Sequence, residues 1–421
     1  MSKEPLKSSI NVLVWVCRII VGGAFVFSAV TKAVDPWGTI FKFEQYFSAW
    51  GMTEPRSLLL GLAILLCVCE FLLGISILTG IYRKISPWFI LVFAGFFLIL
   101  TGYIAIASPI DDCGCFGDAL KLSNWATFFK NIILVGLIIV LLKFNDDVDG
   151  FFKPELQWLV ALFSILYIFG VSLDGYLIQP PLDFRPFPIG TNLLEDFASA
   201  NTYFIYEKDG KQQEFSADAL PSEESGWNFV GRKEAETKES PLEIYDEEGD
   251  NIKDLVIPED SEAVIFVIPE KDRLEISLSM YVNRIKAYAD NQGIESFAVI
   301  GDATPENINQ WKDLAMADYP VYSADETQLK QLSRGEMSIV TVDSGTIKNK
   351  FSLSMISNAG LQKLEKGEIN LDDLPGFDSG RVFAWMSRIY VLLLIILFFC
   401  SWFVPKKKEE QNEDSEAINE D

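Results

Sequence analysis

The chain has 421 residues, 49% of them hydrophobic, with a mean hydropathy of +0.21 and a formal net charge of −24. Positive hydropathy and heavy charge rarely share one soluble globule, so they must occupy different parts of the chain. The absence of histidine excludes Ser-His-Asp and Cys-His catalysis, histidine metal sites and every imidazole proton shuttle.

The partition is clear on counting. Pro180–Val382 holds 19 Lys/Arg and 39 Asp/Glu, whereas the first 179 residues hold 12 and 13 among long apolar runs. An acidic soluble region is therefore attached to a membrane region. Its acidity offers phosphates no basic stripe, which argues against a nucleic-acid partner.

A bilayer-spanning helix needs roughly 20 apolar residues. Six runs approach that length: Val12–Val30, Leu58–Leu78, Ile85–Ser108, Trp125–Leu142, Leu156–Leu173 and Val382–Val404. Lys130 interrupts the fourth near its start and is expected to snorkel. With both termini cytoplasmic, the inner segments carry nine Lys/Arg and the outer short loops four (Lys32, Lys42, Arg56 and Lys121). The positive-inside bias then puts residues 180–381 outside, which in a bacterial inner membrane means the periplasm. The first run reads as a signal anchor, since Arg18 lies within it and Lys32 follows it. Aromatic residues at helical spacing across Pro36–Met52 suit either the membrane interface or a packed loop helix.

The region at 180–260 reads as an acidic linker with a hairpin. Pro180–Pro188 is proline-rich and predicts an extended exit from the membrane, and residues 202–220 predict two strands around Asp209-Gly210. Pro221–Asp260 reads as loop. From 261 to 381 the pattern becomes α/β. Strands are expected at Ala263–Ile268, Ser296–Ile300, Val321–Tyr322, Ser338–Val342 and Lys348–Leu353, with helices at Leu274–Asn291 and Pro305–Ala317. The tail, 405–421, predicts disorder in the cytoplasm.

The sharpest chemical signal is Asp111-Asp112-Cys113-Gly114-Cys115-Phe116-Gly117, in the outward loop between the third and fourth spans. Two cysteines one residue apart in an oxidising compartment invite a disulfide, and Gly114 allows the backbone angles that so small a ring needs. A strained bond would exchange readily and make Cys113 and Cys115 a redox pair. The two aspartates oppose thiolate formation, so a purely structural, loop-locking bond stands beside the redox reading. A metal site is the weaker alternative. Arg18 and Glu70, counted from the inner ends of their runs, reach similar depth and predict a membrane ion pair, either functional or helix-orienting. Cys67 and Cys69 lie mid-membrane just before Glu70 and read mainly as apolar filler; Cys17 and Cys400 carry no assigned role.

CGCFG after a third span resembles the methylamine-utilisation MauE family, which groups with DoxX-like membrane proteins. Arg18, Gly22, Gly23, Phe25, Ser28 and Lys32 resemble the DoxX-type Arg–Gly–Phe–Ser–Lys pattern, and Glu70, Gly74 and Gly80 its Glu–Gly–Gly spacing. The resemblance covers about residues 10–145. It implies a four-helix membrane module, with a fifth span at 156–178 completing the 1–179 membrane domain. Cys113, Gly114, Cys115, Phe116, Gly117 and Lys32 are its motif residues. It also implies redox maturation, disulfide or electron handling for a periplasmic client protein, with a quinone as a conceivable cofactor. Residues 261–355 resemble a thioredoxin-like fold, although no cysteine occurs from Pro180 to Val382. The expected whole is thus an α-helical integral membrane bundle of about six spans plus an α/β, thioredoxin-like soluble domain. The competing expectations are a non-enzymatic membrane scaffold with a structural CGCFG loop and a quinone-interacting respiratory subunit.

Overall fold

The computed structural model describes residues 4–108, 113–194, 202–208, 211–216, 221, 227–234, 242–374, 376 and 378–403. Within them lie six helices long and apolar enough to cross a membrane, together with a mixed sheet flanked by helices. The chain is a multi-pass membrane protein carrying an α/β domain. It divides into two compact units, the first comprising the chain up to Ala33, Gly38–Ser172 and the chain from Ala384, and the second Val34–Trp37 and Leu173–Phe383.

The helices are α1 (Glu4–Val34), α2 (Pro36–Ala49), α3 (Arg56–Thr79), α4 (Ser86–Ala107), α5 (Asn124–Phe144) and α6 (Pro154–Leu177). All but α2 are among the six apolar helices. In the first unit α1 and α3 pass closely at Gly22 and Gly74. A Cβ on Gly22 would lie 2.8 Å from the Gly74 carbonyl oxygen, so no larger residue fits without parting the helices. Small residues permit such approach where helices lack a hydrophobic drive to associate. Asn131 of α5 donates to Thr101 Oγ1 of α4 at 3.1 Å, giving a buried amide a partner inside the bundle. The sixth span belongs to the last helix, Ser379–Phe403. Within the first unit, its Tyr390 stacks on Tyr167 of α6 with centroids 4.5 Å apart, and the Tyr390 hydroxyl pairs with Ser164 at 2.8 Å.

In the second unit β1 (Thr202–Lys208), β2 (Lys211–Ser216) and β3 (Asn228–Glu234) form a small antiparallel sheet in the order β2-β1-β3. The expected hairpin is present, with Lys208 opposite Lys211; its Asp209-Gly210 turn lies outside the described residues. Strand β3 corrects the loop reading of Pro221–Asp260. Its polar sequence NFVGRKE conceals any alternation, and its pairing with β1 shifts register at Ile205/Tyr206.

The larger sheet contains β4 (Glu262–Ile268), β5 (Glu295–Gly301), β6 (Val321–Ala324), β7 (Ser338–Asp343) and β8 (Thr346–Ser352), in the order β6-β5-β4-β7-β8. β4, β5 and β6 run parallel, and β7 and β8 antiparallel. From Ala263 to Ile268 central β4 is apolar and buried because both its faces are covered. Val264, Phe266 and Ile268 pack with α7 (Ser279–Gln292), α8 (Pro305–Ala315) and α10 (Asn358–Glu365). Ala263, Ile265 and Val267 pack on the opposite face, with α9 (Glu326–Leu332), Leu242 and Ile244. The expected helix from Leu274 begins instead at Ser279, after two short 3-10 turns.

The proline-rich segment after α6 is not a free linker. Phe187 is fully buried in the second face's core. Asp183 accepts from Arg185 Nε at 2.6 Å and from Lys350 Nζ at 3.0 Å, and the Lys350 ammonium also donates to the Phe187 carbonyl. Prolines stiffen this stretch, yet an aromatic side chain and satisfied charges seat it against β8. The last helix, α11 (Ser379–Phe403), follows; the tail expected to be disordered lies outside the described residues.

Candidate functional site

The site is built where α1, α3 and the loop after α4 meet. Lys32, on the last turn of α1, is 4% exposed, as is Glu70 on α3. Lys32 Nζ lies 3.0 and 2.9 Å from the two Glu70 oxygens, 2.6 Å from Ser28 Oγ and 2.8 Å from the Cys115 carbonyl. An ammonium has three protons, and the carboxylate, the hydroxyl and the carbonyl use all three. Ser28 Oγ is 2.9 Å from Glu70 Oε2 and 2.7 Å from the Cys115 carbonyl, so its single proton serves one of them at a time. A buried charge cluster thus grips the backbone of the CGCFG loop.

The expected Arg18–Glu70 pair does not form. Arg18 is fully buried and bonds Asn145 Oδ1 at 2.8 Å and the carbonyls of Asn145, Val148 and Asp149 at 2.8–3.1 Å. Its guanidinium also lies 4.8 Å from the Trp15 ring centre. The Gly22–Gly74 contact sets a register in which Arg18 meets Gly80 and Ser28 meets Glu70. Glu70 therefore lies ten residues, about 15 Å, along the helix from the level of Arg18. The ends of an apolar run mark depth poorly here, because α1 continues well past its run at both ends.

Cys113 and Cys115 are both free thiols, so the sequence expectation of a disulfide is not met in this structure. The Cys115 N–H donates to Cys113 Sγ at 3.3 Å, and Tyr46 Oη donates to the Cys113 carbonyl at 3.2 Å. Gly114 has φ +62°, the left-handed geometry that lets the loop turn between the two sulfurs. The two thiols are unequal. A hydrogen bond from the Cys115 thiol drops the Cys113 thiol to about 6 against the opposition of burial; the Cys115 amide, Thr127 and the Lys130 charge also help. That same bond and burial raise Cys115 well above the ordinary thiol value. Asp111 and Asp112, expected to oppose the thiolate, lie outside the described residues. The Lys130 ammonium caps the Phe116 ring, 4.1 Å from its centroid, and Phe27 packs on the same ring with centroids 5.4 Å apart. Gly117, φ +56°, passes beneath Thr31 of α1.

Both cysteines line an apolar cavity of about 410 Å³ walled by α2, α3 and α4, where Phe43, Phe47, Trp50 and Phe97 supply aromatic surface. Cys69 lines it as well, whereas Cys67 is fully buried; the two point to different faces, as residues two apart on a helix must. The described residues hold no cluster of three His/Cys/Asp/Glu able to bind a metal.

Residues 10–144 match the methylamine utilisation protein MauE family. The matched segment contains the whole site: Ser28, Lys32, Glu70 and the CGCFG loop. A second match, over residues 200–239, is to a domain of unknown function (DUF8463) and takes in the small sheet. No curated protein and no solved structure matches the chain. Sequence reasoning found the cysteines, Glu70 and Lys32, and quoted Ser28 within a family pattern. It missed Tyr46, Thr127 and the partnership of Lys32 with Glu70. For Tyr46 and Thr127 no one-dimensional signal exists, because each acts on the loop from a separate helix, α2 and α5.

Proposed function

We propose that this is a membrane thiol–disulfide exchange protein that oxidises client proteins on the outward face of a bacterial cytoplasmic membrane, with a quinone as electron acceptor. The observation that carries this reading is a pair of thiols of opposite character lining one apolar cavity. Cys113 is a thiolate at neutral pH, and Cys115 is a neutral thiol two residues away. A thiolate is the nucleophile in exchange and a low-pKa thiol the better leaving group.

The chemistry balances in two halves. A client dithiol reduces a Cys113–Cys115 disulfide, giving a client disulfide, the Cys113 thiolate, the Cys115 thiol and one proton. The thiolate and thiol then pass two electrons to a quinone, which takes up the Cys115 proton and one more to become a quinol as the disulfide re-forms. The cavity favours such an acceptor: its volume suits a small organic ligand, its aromatic walls suit a planar ring, and Leu65 and Phe96 in its wall are 57% and 62% exposed on spanning helices.

The second unit is read as a thioredoxin-like client-docking domain. The β4-α7-β5 unit beside the β7-β8 hairpin and α10 supports that reading. Having no cysteine between Pro180 and Val382, it holds clients rather than exchanging thiols with them. The excess of Lys/Arg on one set of short loops favours cytoplasmic termini.

A scaffold role is favoured by one observation, the anchoring of the Cys113 and Cys115 carbonyls by Tyr46, Lys32 and Ser28. Acid quenching of intact cells followed by a mass-shifting maleimide tests the exchange reading. A Cys113–Cys115 population that becomes more reduced on quinone depletion supports exchange. An invariant pair, with function intact in Cys113→Ser and Cys115→Ser, supports the scaffold.

A further inference from the structure

In the exchange reading the Cys115 proton ends on the quinone, but the sulfur needs a base to give it to first. When the pair is re-oxidised, the neutral Cys115 thiol must lose its proton before its sulfur can bond the Cys113 sulfur. No imidazole is available, since the chain has no histidine. Cys115 is half-buried and lines an apolar cavity.

We infer that the buried Lys32–Glu70 pair is the proton acceptor for Cys115. The inference rests on the exchange reading and deepens it. Three observations carry it. Cys115, Ser28 and Glu70 line one small cavity of about 40 Å³, with Lys130 and Asn131 also in its walls. That volume holds about one water, and the walls offer the polar partners such a water needs. Second, Lys32 joins Glu70 directly to the Cys115 backbone, so the carboxylate and the thiol-bearing residue share one cation. Third, the transfer conserves charge. A proton moving from Cys115 to Glu70 shifts the negative charge from the carboxylate to the sulfur, and Lys32 keeps a counterion in both states. No unpaired charge is created in a low-dielectric interior, which is what makes most buried proton transfers costly.

Other titratable groups around the pair bear on its pH response. Lys130 approaches from α5, while Lys42 and Tyr46 of α2 and Asp118 after the loop line the neighbouring cavity. Cys67 and Cys69 lie on α3 itself, and Cys113 precedes Cys115. α4 presents only Phe93, Ala94 and Phe97 to the small cavity. Among these, Lys42 and Lys130 are cations on the thiol side, and they favour the sulfur as the resting place of the negative charge.

The test uses the reduced full-length chain in detergent, with Cys17, Cys67, Cys69 and Cys400 replaced by alanine and a dipyridyl disulfide as probe. Cys113 attacks the probe and releases one pyridinethiolate; Cys115 then attacks the mixed disulfide, gives up its proton and releases a second. In the parent chain the second release should be nearly independent of pH between 6 and 9, because its base is internal. The double variant Lys32→Met/Glu70→Gln removes the pair without leaving a lone buried charge. Its first release should be unchanged and its second at least tenfold slower at pH 7, rising tenfold per pH unit as hydroxide takes over. Glu70→Asp should keep the flat profile. A second release in the double variant that is as fast and as flat as in the parent overturns the inference while leaving exchange intact. So does a slowing that carries no pH slope, since loosening of the loop alone would produce that. A parent chain with no second release removes exchange and this inference together.

Discussion

Replacing Lys32 with methionine removes the cation that three buried acceptors share. Methionine matches the length of the lysine stem, so the change is chiefly one of charge. At 2.9 Å and an effective dielectric of 20, the pair's attraction is on the order of 6 kcal/mol, of which desolvation has already consumed part. Breaking a buried pair by removing one partner costs about 3–5 kcal/mol, because the remaining charge stays buried without compensation. Lys32→Met should therefore lower the unfolding free energy by about that amount, whereas Lys84→Met, at a lysine 76% exposed and 3.8 Å from Asp146, should change it by less than ~1 kcal/mol. The double variant Lys32→Met/Glu70→Gln should recover most of the loss, since no charge is left unpaired. Equilibrium unfolding of the detergent-solubilised protein, followed by circular dichroism, measures all three. Faster alkylation of Cys115 in Lys32→Met should accompany the loss, as its carbonyl keeps only the Ser28 donor. If Lys32→Met is no less stable than Lys84→Met, or if the double variant is worse than the single, the pair does not hold the loop and the reasoning fails.

Three further outcomes follow from the geometry. Alkylation of Cys113 should reach its plateau above about pH 7 and fall tenfold per unit below about 6, because its depressed pKa keeps it a thiolate down to that value; Cys115→Ala removes the thiol donor, so the midpoint should move up toward the ordinary thiol value. Gly74→Val places a Cβ 2.8 Å from the backbone nitrogen of Val26 and should sharply reduce folded protein, while Gly23→Ala, with nothing within 4 Å, should be tolerated; the fraction surviving detergent size-exclusion chromatography reports both. Phe187→Ala should destabilise the second unit by about 3–5 kcal/mol, as measured by its protease resistance; a free linker would tolerate the change.

The spans and the α/β sheet were legible because hydrophobic runs announce them directly. AVIFVI could only be a strand covered on both faces, and it is. The register between two spans is a different quantity. It is set at Gly22 and Gly74, where hydropathy is silent, and a shift of ten residues exchanged the partner of Glu70 from Arg18 to Lys32. Phe187 was hidden among prolines, and β3 among charges, since a strand on a small sheet need not alternate cleanly. The cysteine loop was legible as chemistry, yet its asymmetry was not. The hydroxyl of Thr127 and the ammonium of Lys130 reach Cys113 from the first turns of α5, and the grip on Cys115 comes from α1 and α3. A chain without histidine must assemble its acid–base groups from residues with other ordinary duties. Here a lysine at the end of one span and a glutamate midway along another become a single unit, once two glycines let their helices touch.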